Sequence, residues 1–244
     1  MTEKIFLLVD AGNTRIKMRV YSRGTTISEA GYYHDEERKI LEWIDSQTFN
    51  EVLICNTGFP DTAFEKWFGH RPLHFMNHLQ PAGLAWAYHQ PEQIGKDRIA
   101  SMLGARKLYP GKAICVAGAG TCLTIDFISE SGNHVGGSIS PGLQMRLKAM
   151  HTFTEKLPQS SVSELIDYWG KSSLSCLASG ALWGMVAEIE HRFAAAKTIE
   201  PTETVLVLTG GDADFLAQRL KVHNFVVSDL VFQGMFAVLA SLVK

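Results

Sequence analysis

Residues 5–21 have the sequence IFLLVDAGNTRIKMRVY, and this stretch decides the fold that the sequence predicts. Ile5 to Val9 is a continuous apolar run, which is typical of a buried strand. Residues 15–21 alternate polar and apolar side chains, which is the period of a β-strand. The glycine-containing turn between these two stretches therefore predicts a β-hairpin.

A second stretch repeats this pattern in the other half of the chain. Residues 113–116 form an apolar strand pattern, residues 118–121 (GAGT) form a turn, and residues 122–128 form a strand with a polar face. A repeat at half the chain length predicts two α/β halves of like topology, residues 1–111 and 112–244. One glycine turn from each half can then face the other across a cleft and hold one polyanion.

The remaining periodicity predicts strands and helices that alternate along the chain, as in an α/β fold. Further strands are predicted at residues 25–33, 51–55, 204–208 and 225–227. Helices are predicted at residues 35–47, 64–68, 97–108, 143–153, 174–196, 213–220 and 230–242. Residues 136–142 (GGSISPG) are interpreted as turn chemistry.

Composition excludes several classes of protein. The 244 residues carry a net charge of -2, so the sequence has no electrostatic footprint for nucleic acid. It has no apolar run of membrane-spanning length and no signal peptide, so we expect a cytoplasmic protein with no membrane partner. The four cysteines form no CxxC pair and are interpreted as buried, reduced thiols. The nine histidines show no metal-ligand spacing, so no zinc site is expected.

The first hairpin turn is a candidate phosphate site. Glycine lets backbone N–H groups approach a phosphate oxygen, and Gly12 supplies that property. Thr14 offers a hydroxyl donor and Lys17 a positive point charge. Asp10 ends the first strand, where a carboxylate can hold magnesium directly or through water. Taken alone, the same residues are also typical of a plain hairpin.

The second turn repeats this chemistry and shifts the balance towards a nucleotide. Thr121 is its phosphate donor, and Asp126 could assist a metal or a polar network. Residues 207–211 (VLTGG) are a candidate adenosine site, because glycines let a flat base or ribose lie against the backbone. The structural alternative is a tight strand–helix turn with Asp212 as an N-cap.

Asp97 and Arg98 suggest a general base beside an anion clamp. Phosphoryl transfer to an alcohol needs mainly positioning and charge stabilisation, with one carboxylate to accept the hydroxyl proton. The guanidinium of Arg98 can bind a carboxylate or a developing phosphate charge. The alternative is an N-cap aspartate followed by a solvated arginine. Ser173 precedes a predicted helix and is interpreted as its N-cap.

Five motifs in this order resemble the type III pantothenate kinase family of the acetate and sugar kinase–Hsp70–actin superfamily. They are DAGNTRIK (10–17), YHQPEQIGKDR (88–98), GAGTCLTID (118–126), GGSISPG (136–142) and VLTGG (207–211). The resemblance implies two ribonuclease-H-like halves around an ATP cleft, the actin-like ATPase fold. It also implies phosphorylation of the 4′-hydroxyl of pantothenate with ATP, the first step of coenzyme A synthesis, by a cytoplasmic homodimer whose pantothenate site lies at the dimer interface.

The resemblance assigns roles to individual residues. Asp97 is the catalytic residue, and Asp10 is the tentative magnesium ligand. The implied ATP-binding residues are Asp10, Ala11, Gly12, Asn13, Thr14, Arg15, Ile16, Lys17 and Thr121. The implied substrate-binding residues are Tyr88, Gly95, Lys96, Asp97, Arg98 and Ser173.

One position departs from the family pattern. The family has an aspartate that binds a monovalent cation, typically potassium, where this chain has Gly118; in the internal repeat, the equivalent residue is Asp10. We therefore expect no conventional K+ or NH4+ site at this position; a backbone carbonyl or a lysine could substitute, or cation dependence could be lost. Two functional alternatives stay open: a kinase for another small alcohol or acid, and a weakly active or non-catalytic nucleotide-binding regulator.

Overall fold

The computed structural model describes residues 4–22, 24–77, 84–162, 166–200 and 203–242. These residues form two compact units. The first unit comprises the described residues of Met1–Gly83, Tyr88–Lys107 and Leu230–Lys244, and the second those of Leu84–Ala87 and Leu108–Asp229. The halves expected from the sequence, 1–111 and 112–244, stay a prediction.

A five-stranded sheet forms the centre of the first unit. Its strands are β1 (Phe6–Ala11), β2 (Arg15–Ser22), β3 (Thr25–Tyr33), β4 (Glu51–Asn56) and β5 (Leu73–Phe75), in the order β3-β2-β1-β4-β5. β1 pairs antiparallel with β2 and parallel with β4. The helices that belong to this unit include α1 (Glu37–Asp45), α2 (Asp61–Phe68) and α3 (Lys96–Leu108), and a short 3-10 turn covers Pro91–Gln93.

A six-stranded sheet forms the centre of the second unit. Its strands are β6 (Ala85–Trp86), β7 (Ala113–Ala119), β8 (Cys122–Ile128), β9 (Asn133–Pro141), β10 (Thr204–Thr209) and β11 (Phe225–Val226), in the order β11-β10-β7-β8-β9-β6. Its helices are α4 (Leu143–Thr152), α5 (Ser173–Ile199) and α6 (Ala213–Ala217). The last helix, α7 (Leu230–Leu242), belongs to the first unit.

The two sheets share one topology, as the sequence repeat predicted. The order β3-β2-β1-β4-β5 in the first unit corresponds to β9-β8-β7-β10-β11 in the second. In each unit two antiparallel strands form a hairpin, β1–β2 or β7–β8, and the first strand of that hairpin also pairs parallel with a later strand, β4 or β10. The predicted α/β class with two like halves is confirmed.

Each unit has its own hydrophobic core. In the first, Leu7 and Val9 of β1 pack with Ile40 of α1 and Phe64 of α2. In the second, the strands pack against one side of α5, whose buried residues include Leu182, Met185 and Ile189. No helix within the described part of the chain is long and apolar enough to cross a membrane.

Two sequence interpretations are wrong. Residues 136–142, which were interpreted as a turn, lie mainly in strand β9. The register shifts where Phe127 pairs with Gly136 and Ile128 with His134, and Gly136 has a φ of 149° that glycine accommodates. The cysteines are all free thiols, but Cys122 is only half-buried and Cys176 is exposed.

A close helix contact in the first unit supports α3. Ala100 of α3 approaches Gly234 of α7 so closely that a Cβ atom at residue 234 would lie 1.8 Å from the Ala100 carbonyl oxygen. Aromatic contacts add to the packing of α7, since the ring of Phe236 stacks on Tyr21 with centroids 4.1 Å apart. α7 therefore braces the helix that begins at Lys96.

We expect Gly234→Ala to destabilise the protein by about 2 kcal/mol or more, because the contacted atom belongs to rigid backbone and cannot move aside cheaply. The melting temperature should fall by at least about 4 °C. Gly180→Ala is the matched control, because Gly180 is an exposed residue of α5 and a Cβ atom there meets nothing within 4 Å. The control should be neutral or stabilising. Equal melting temperatures for the two variants would contradict the close contact.

Candidate active site

Asp10 is the centre of the candidate site in the first unit. It lies near the end of β1, where it pairs with Lys17 of β2 and with Cys55 of β4. Residues directly opposite one another on antiparallel strands point to the same face, so the Lys17 ammonium lies on the same face as the Asp10 carboxylate. Asp97, in the first turn of α3, is near enough for its negative charge to act on Asp10.

The pKa of Asp10 is raised from 3.8 to about 7. Burial is the largest cause, since it disfavours the charged carboxylate; Lys17 lowers the pKa, and Asp97 raises it further. Part of the Asp10 side chain nevertheless stays open to solvent. The carboxyl group can therefore gain or lose a proton near neutral pH, and a cation beside it would favour the ionised form. Burial also raises the pKa of the Cys55 thiol well above its usual value.

The first turn presents three polar side chains. Its Gly12 N–H donates to the Arg15 carbonyl oxygen at 3.1 Å, which closes the hairpin. Asn13, Thr14 and Lys17 have exposed side chains. The side chains of two other predicted ATP-binding residues, Ala11 and Ile16, are fully buried, so only their backbone atoms could contact a ligand.

The side chain of Asp97 is held in one orientation. Its Oδ1 accepts a hydrogen bond from the backbone N–H of Arg98 at 2.8 Å. Gly95 leaves room for this arrangement, because a Cβ atom at that residue would lie 2.7 Å from Oδ1. Asp97 lies inside the first turn of α3, which begins at Lys96, rather than at an N-cap position.

Arg98 is buried, with 5% of its surface exposed, so the alternative of a solvated arginine is wrong. Its Nη1 donates to the Tyr88 hydroxyl at 3.1 Å, and its guanidinium lies 5.6 Å from the centre of the Tyr88 ring. Burying a charged group is costly unless its partners compensate. Tyr88 is one such partner of Arg98, and the planar guanidinium next to Asp97 is also a candidate for binding an anionic ligand group.

Lys96 adds a positive charge to the same region. Its Nζ lies 3.4 Å from the Glu92 carbonyl oxygen, and its charge acts on the Cys55 thiol that neighbours Asp10. The predicted residues that the structure brings together in the first unit are Asp10, Lys17, Lys96 and Asp97, with Tyr88 and Arg98 next to them.

The second turn, in the other unit, brings three motifs together. Thr121 is exposed, and its carbonyl oxygen accepts the Gly142 N–H at 3.1 Å. A Cβ atom at Gly142 would lie 2.1 Å from the Gly120 carbonyl oxygen, so residues 136–142 end directly on this turn. The N–H of Asp212, after the VLTGG motif, donates to the Ala119 carbonyl oxygen at 3.1 Å. The Asp212 side chain makes no capping hydrogen bond.

Gly118 supplies no cation-binding carboxylate, and the Thr124 hydroxyl lies against its backbone. It pairs with Thr124 across the β7–β8 hairpin, and a Cβ atom at residue 118 would lie 2.7 Å from the Thr124 hydroxyl oxygen. Asp126, two residues further on, is buried and accepts a hydrogen bond from Nε2 of His134 at 3.0 Å. Within the described ranges, no group of three or more His, Cys, Asp or Glu side chains could hold a metal ion.

Ser173 is the first residue of α5 and is exposed, but it is not the N-cap. That position belongs to Ser172, whose hydroxyl accepts the Ser175 N–H at 3.2 Å. The N-cap interpretation of Ser173 is therefore wrong by one residue, because either serine of the Ser172–Ser173 pair suits a helix start. The Ser173 side chain is exposed and could contact a ligand.

Sequence reasoning missed the residues that surround the first turn. The loop after β4, with Thr57 and Gly58, packs on Ala11 and Gly12, and His34 makes a hydrogen bond to the Gly12 carbonyl. The only sequence signal is the Thr-Gly-Phe-Pro run after a strand, which is ordinary turn chemistry.

Comparisons with known proteins agree with the motifs. A sequence model described as type III pantothenate kinase matches residues 6–195. A type III pantothenate kinase from Flavobacterium johnsoniae is 32% identical over 237 residues, which cover 95% of this chain and 96% of that protein. Among solved structures, a conserved Baf family protein from Campylobacter jejuni has a TM-score of 0.64 at 23% identity and covers 96% of this chain and 98% of its own. An acetate kinase from Porphyromonas gingivalis has a TM-score of 0.54 at 13% identity, covering 98% of this chain and 100% of its own. Both structures support the predicted superfamily fold.

We expect Asp10→Asn to raise the melting temperature at pH values well above 7 and to change it little near pH 4. The folded protein holds the Asp10 proton up to a pKa of about 7, against an ordinary value of 3.8. The stability contributed by the protonated form is therefore fully present below pH 3.8 and is lost as the pH rises through 7. Thermal unfolding in metal-free buffer across this range measures the difference. Asp45→Asn, on an exposed residue of α1, is the control, and an unaltered pH dependence in Asp10→Asn would contradict the burial effect.

Proposed function

Because this chain belongs to the type III pantothenate kinase family, it is a phosphotransferase that acts on pantothenate in the first step of coenzyme A biosynthesis, and we propose which of its residues carry out the reaction. The γ-phosphoryl group of ATP moves to the 4′-hydroxyl of pantothenate and gives ADP and 4′-phosphopantothenate. The observation that carries the assignment is the Asp97 carboxylate, whose charge acts on the pKa of Asp10 and whose neighbour in sequence is the buried Arg98.

Asp97 is the general base in this proposal. As the hydroxyl oxygen forms its bond to the γ-phosphorus, its proton moves to the Asp97 carboxylate, and the bond to the bridging oxygen of ADP breaks. Such a base mainly needs correct placement. The hydrogen bond from the Arg98 N–H and the space left by Gly95 support that placement.

In this proposal the first glycine turn binds the phosphates of ATP through the backbone of residues 11–16 and the side chains of Asn13, Thr14 and Lys17. The exposed Thr121 hydroxyl of the second glycine turn is a further proposed ATP contact, as the family resemblance implies. Asp10 would hold Mg²⁺, which usually takes one or two protein carboxylates together with substrate phosphates. The raised pKa of Asp10 supports this role, because a nearby cation would recover the ionised carboxylate. Bound Mg²⁺ supplies neutralisation of phosphate charge.

Pantothenate is held by the residues around α3. The Arg98 guanidinium binds its carboxylate, with the Tyr88 hydroxyl, Lys96 and the Gly95 backbone beside it. The exposed hydroxyl of Ser173 is a further proposed contact of pantothenate, as the family resemblance implies. The burial of Arg98 beside Tyr88 supports this choice, because a desolvated guanidinium binds a carboxylate more strongly than an exposed one does.

We also propose that the protein is a cytoplasmic homodimer, as the family resemblance implies. Exposed aromatic residues of the second unit support a protein interface: Tyr168 and Trp169 are 60% and 78% exposed, and their rings lie 5.4 Å apart. Large exposed apolar side chains that lie together often mark interaction surfaces.

We expect Asp97→Asn to reduce the turnover of pantothenate by about 100-fold or more, because the amide cannot accept the hydroxyl proton. The KM for ATP should change little. A coupled ADP-release assay measures both, and Asp45→Asn serves as the folded control with an exposed carboxylate removed. Near-normal turnover in Asp97→Asn would remove Asp97 from its role. Nucleotide binding by the wild type without transfer to pantothenate would favour the regulator alternative.

We expect turnover to be independent of K+ and NH4+, because residue 118 is a glycine and supplies no carboxylate to hold the cation. Replacing KCl with tetramethylammonium chloride at equal ionic strength should change the rate less than about twofold. The ADP-release assay measures this, with every other component held constant. Strong activation by K+ or NH4+ would contradict the expectation.

A further inference from the structure

We propose that His34 is a positioning residue for the phosphate-binding turn, where it sets the orientation of the peptide bond between Gly12 and Asn13. The inference rests on the proposed function of that turn. His34 lies 22 residues from Gly12 in the sequence and outside the five sequence motifs.

The contact is a hydrogen bond at the base of the turn. Nε2 of His34 lies 2.8 Å from the Gly12 carbonyl oxygen, and because a carbonyl only accepts, Nε2 is the donor. The imidazole is held in place by the ring of Phe59, whose centre lies 4.4 Å away. His34 directly follows Tyr33, the last residue of β3, so the strand fixes the position of the His34 backbone.

Because the peptide bond is planar, this hydrogen bond also sets the direction of the Asn13 N–H. In a planar trans peptide the C=O and the N–H point to opposite sides. Because the Gly12 carbonyl points to His34, the Asn13 N–H of the same peptide points away from His34. That N–H is the donor that a phosphate oxygen would need from this turn.

The preceding peptide is fixed in the same way. The Ala11 carbonyl oxygen accepts hydrogen bonds from the Thr57 backbone N–H at 2.9 Å and from the Thr57 hydroxyl at 3.2 Å. The N–H of that peptide belongs to Gly12 and points into the hairpin, to the Arg15 carbonyl. The two neighbouring peptides therefore have different roles: one closes the hairpin, and the other directs its N–H outwards.

Gly58 leaves no space for a side chain beside the turn. A Cβ atom at this residue would lie 2.5 Å from the Gly12 carbonyl oxygen and 3.2 Å from the Asn13 Cα. The loop itself is ordered by Asn56, whose Oδ1 accepts the N–H groups of Gly58 at 3.2 Å and Phe59 at 3.0 Å. The turn is thus enclosed by His34 and the loop after β4.

Losing the His34 donor should let the Gly12–Asn13 peptide rotate. Rotation would aim a carbonyl oxygen, with its partial negative charge, at the phosphates in place of an N–H donor. His34→Phe removes the donor and keeps an aromatic ring against Phe59. His34→Gln keeps a donor, because its amide nitrogen can occupy the position of Nε2, whereas the shorter His34→Asn cannot reach it.

The test measures binding of the non-hydrolysable ATP analogue AMPPNP with Mg²⁺ by isothermal titration calorimetry, together with steady-state kinetics. His34→Phe and His34→Asn should weaken AMPPNP binding and raise the KM for ATP about tenfold, the effect of one lost hydrogen bond. The KM for pantothenate should stay within about twofold, and the melting temperature within about 2 °C. His34→Gln should bind AMPPNP nearly as the wild type does.

Thr57→Val is the control within the same enclosure. It removes one side-chain donor, but the Thr57 backbone N–H still binds the Ala11 carbonyl, so nucleotide binding should stay normal. Normal AMPPNP binding by folded His34→Phe would overturn the inference, as would equal weakening in His34→Gln and His34→Asn. If His34→Phe fails to fold, the Gln and Asn pair decides. A wild type that binds AMPPNP but does not phosphorylate pantothenate would refute the proposed function and leave this inference standing.

Discussion

The backbone pairing of β1 on both of its edges is the constraint on which the rest of the first unit depends. Antiparallel pairing with β2 sets Lys17 opposite Asp10, and parallel pairing with β4 sets Cys55 beside it. The parallel pairing with β4 also places the loop after β4 against the glycine turn, where the Thr57 N–H binds the Ala11 carbonyl. β7 pairs in the same way, antiparallel with β8 and parallel with β10, so the same strand pairing positions the glycine turn of each unit.

Much of the fold could be predicted, because the hairpins carry strong local signals. An apolar run followed by strict alternation has no competing interpretation in Ile5 to Tyr21, and the structure has strands there. β9 was missed because its glycines and serines have low strand propensity; its position is fixed by pairing with β8, which is tertiary information. β5 and β6 contain three and two residues, too few to show a period.

Residues of the candidate site could be predicted only where a local sequence pattern marks them. Asp10 lies near the end of β1, Lys17 near the start of β2 and Asp97 in the first turn of α3, so each is next to a boundary that the sequence shows. The burial of Arg98 depends on how the whole unit packs around it, which no pattern around residue 98 records. His34 and Thr57 reach the turn across 22 and 46 residues, so only the folded sheet brings them together.

The thiol of Cys55 has a consequence for how the protein meets oxidative stress. Cys55 is fully buried beside Asp10, and burial keeps it in the neutral form that peroxides and electrophiles attack poorly. Cys176 is exposed at the start of α5 and would meet such reagents first. Oxidants should therefore modify the thiol of Cys176 before they reach the thiol beside Asp10.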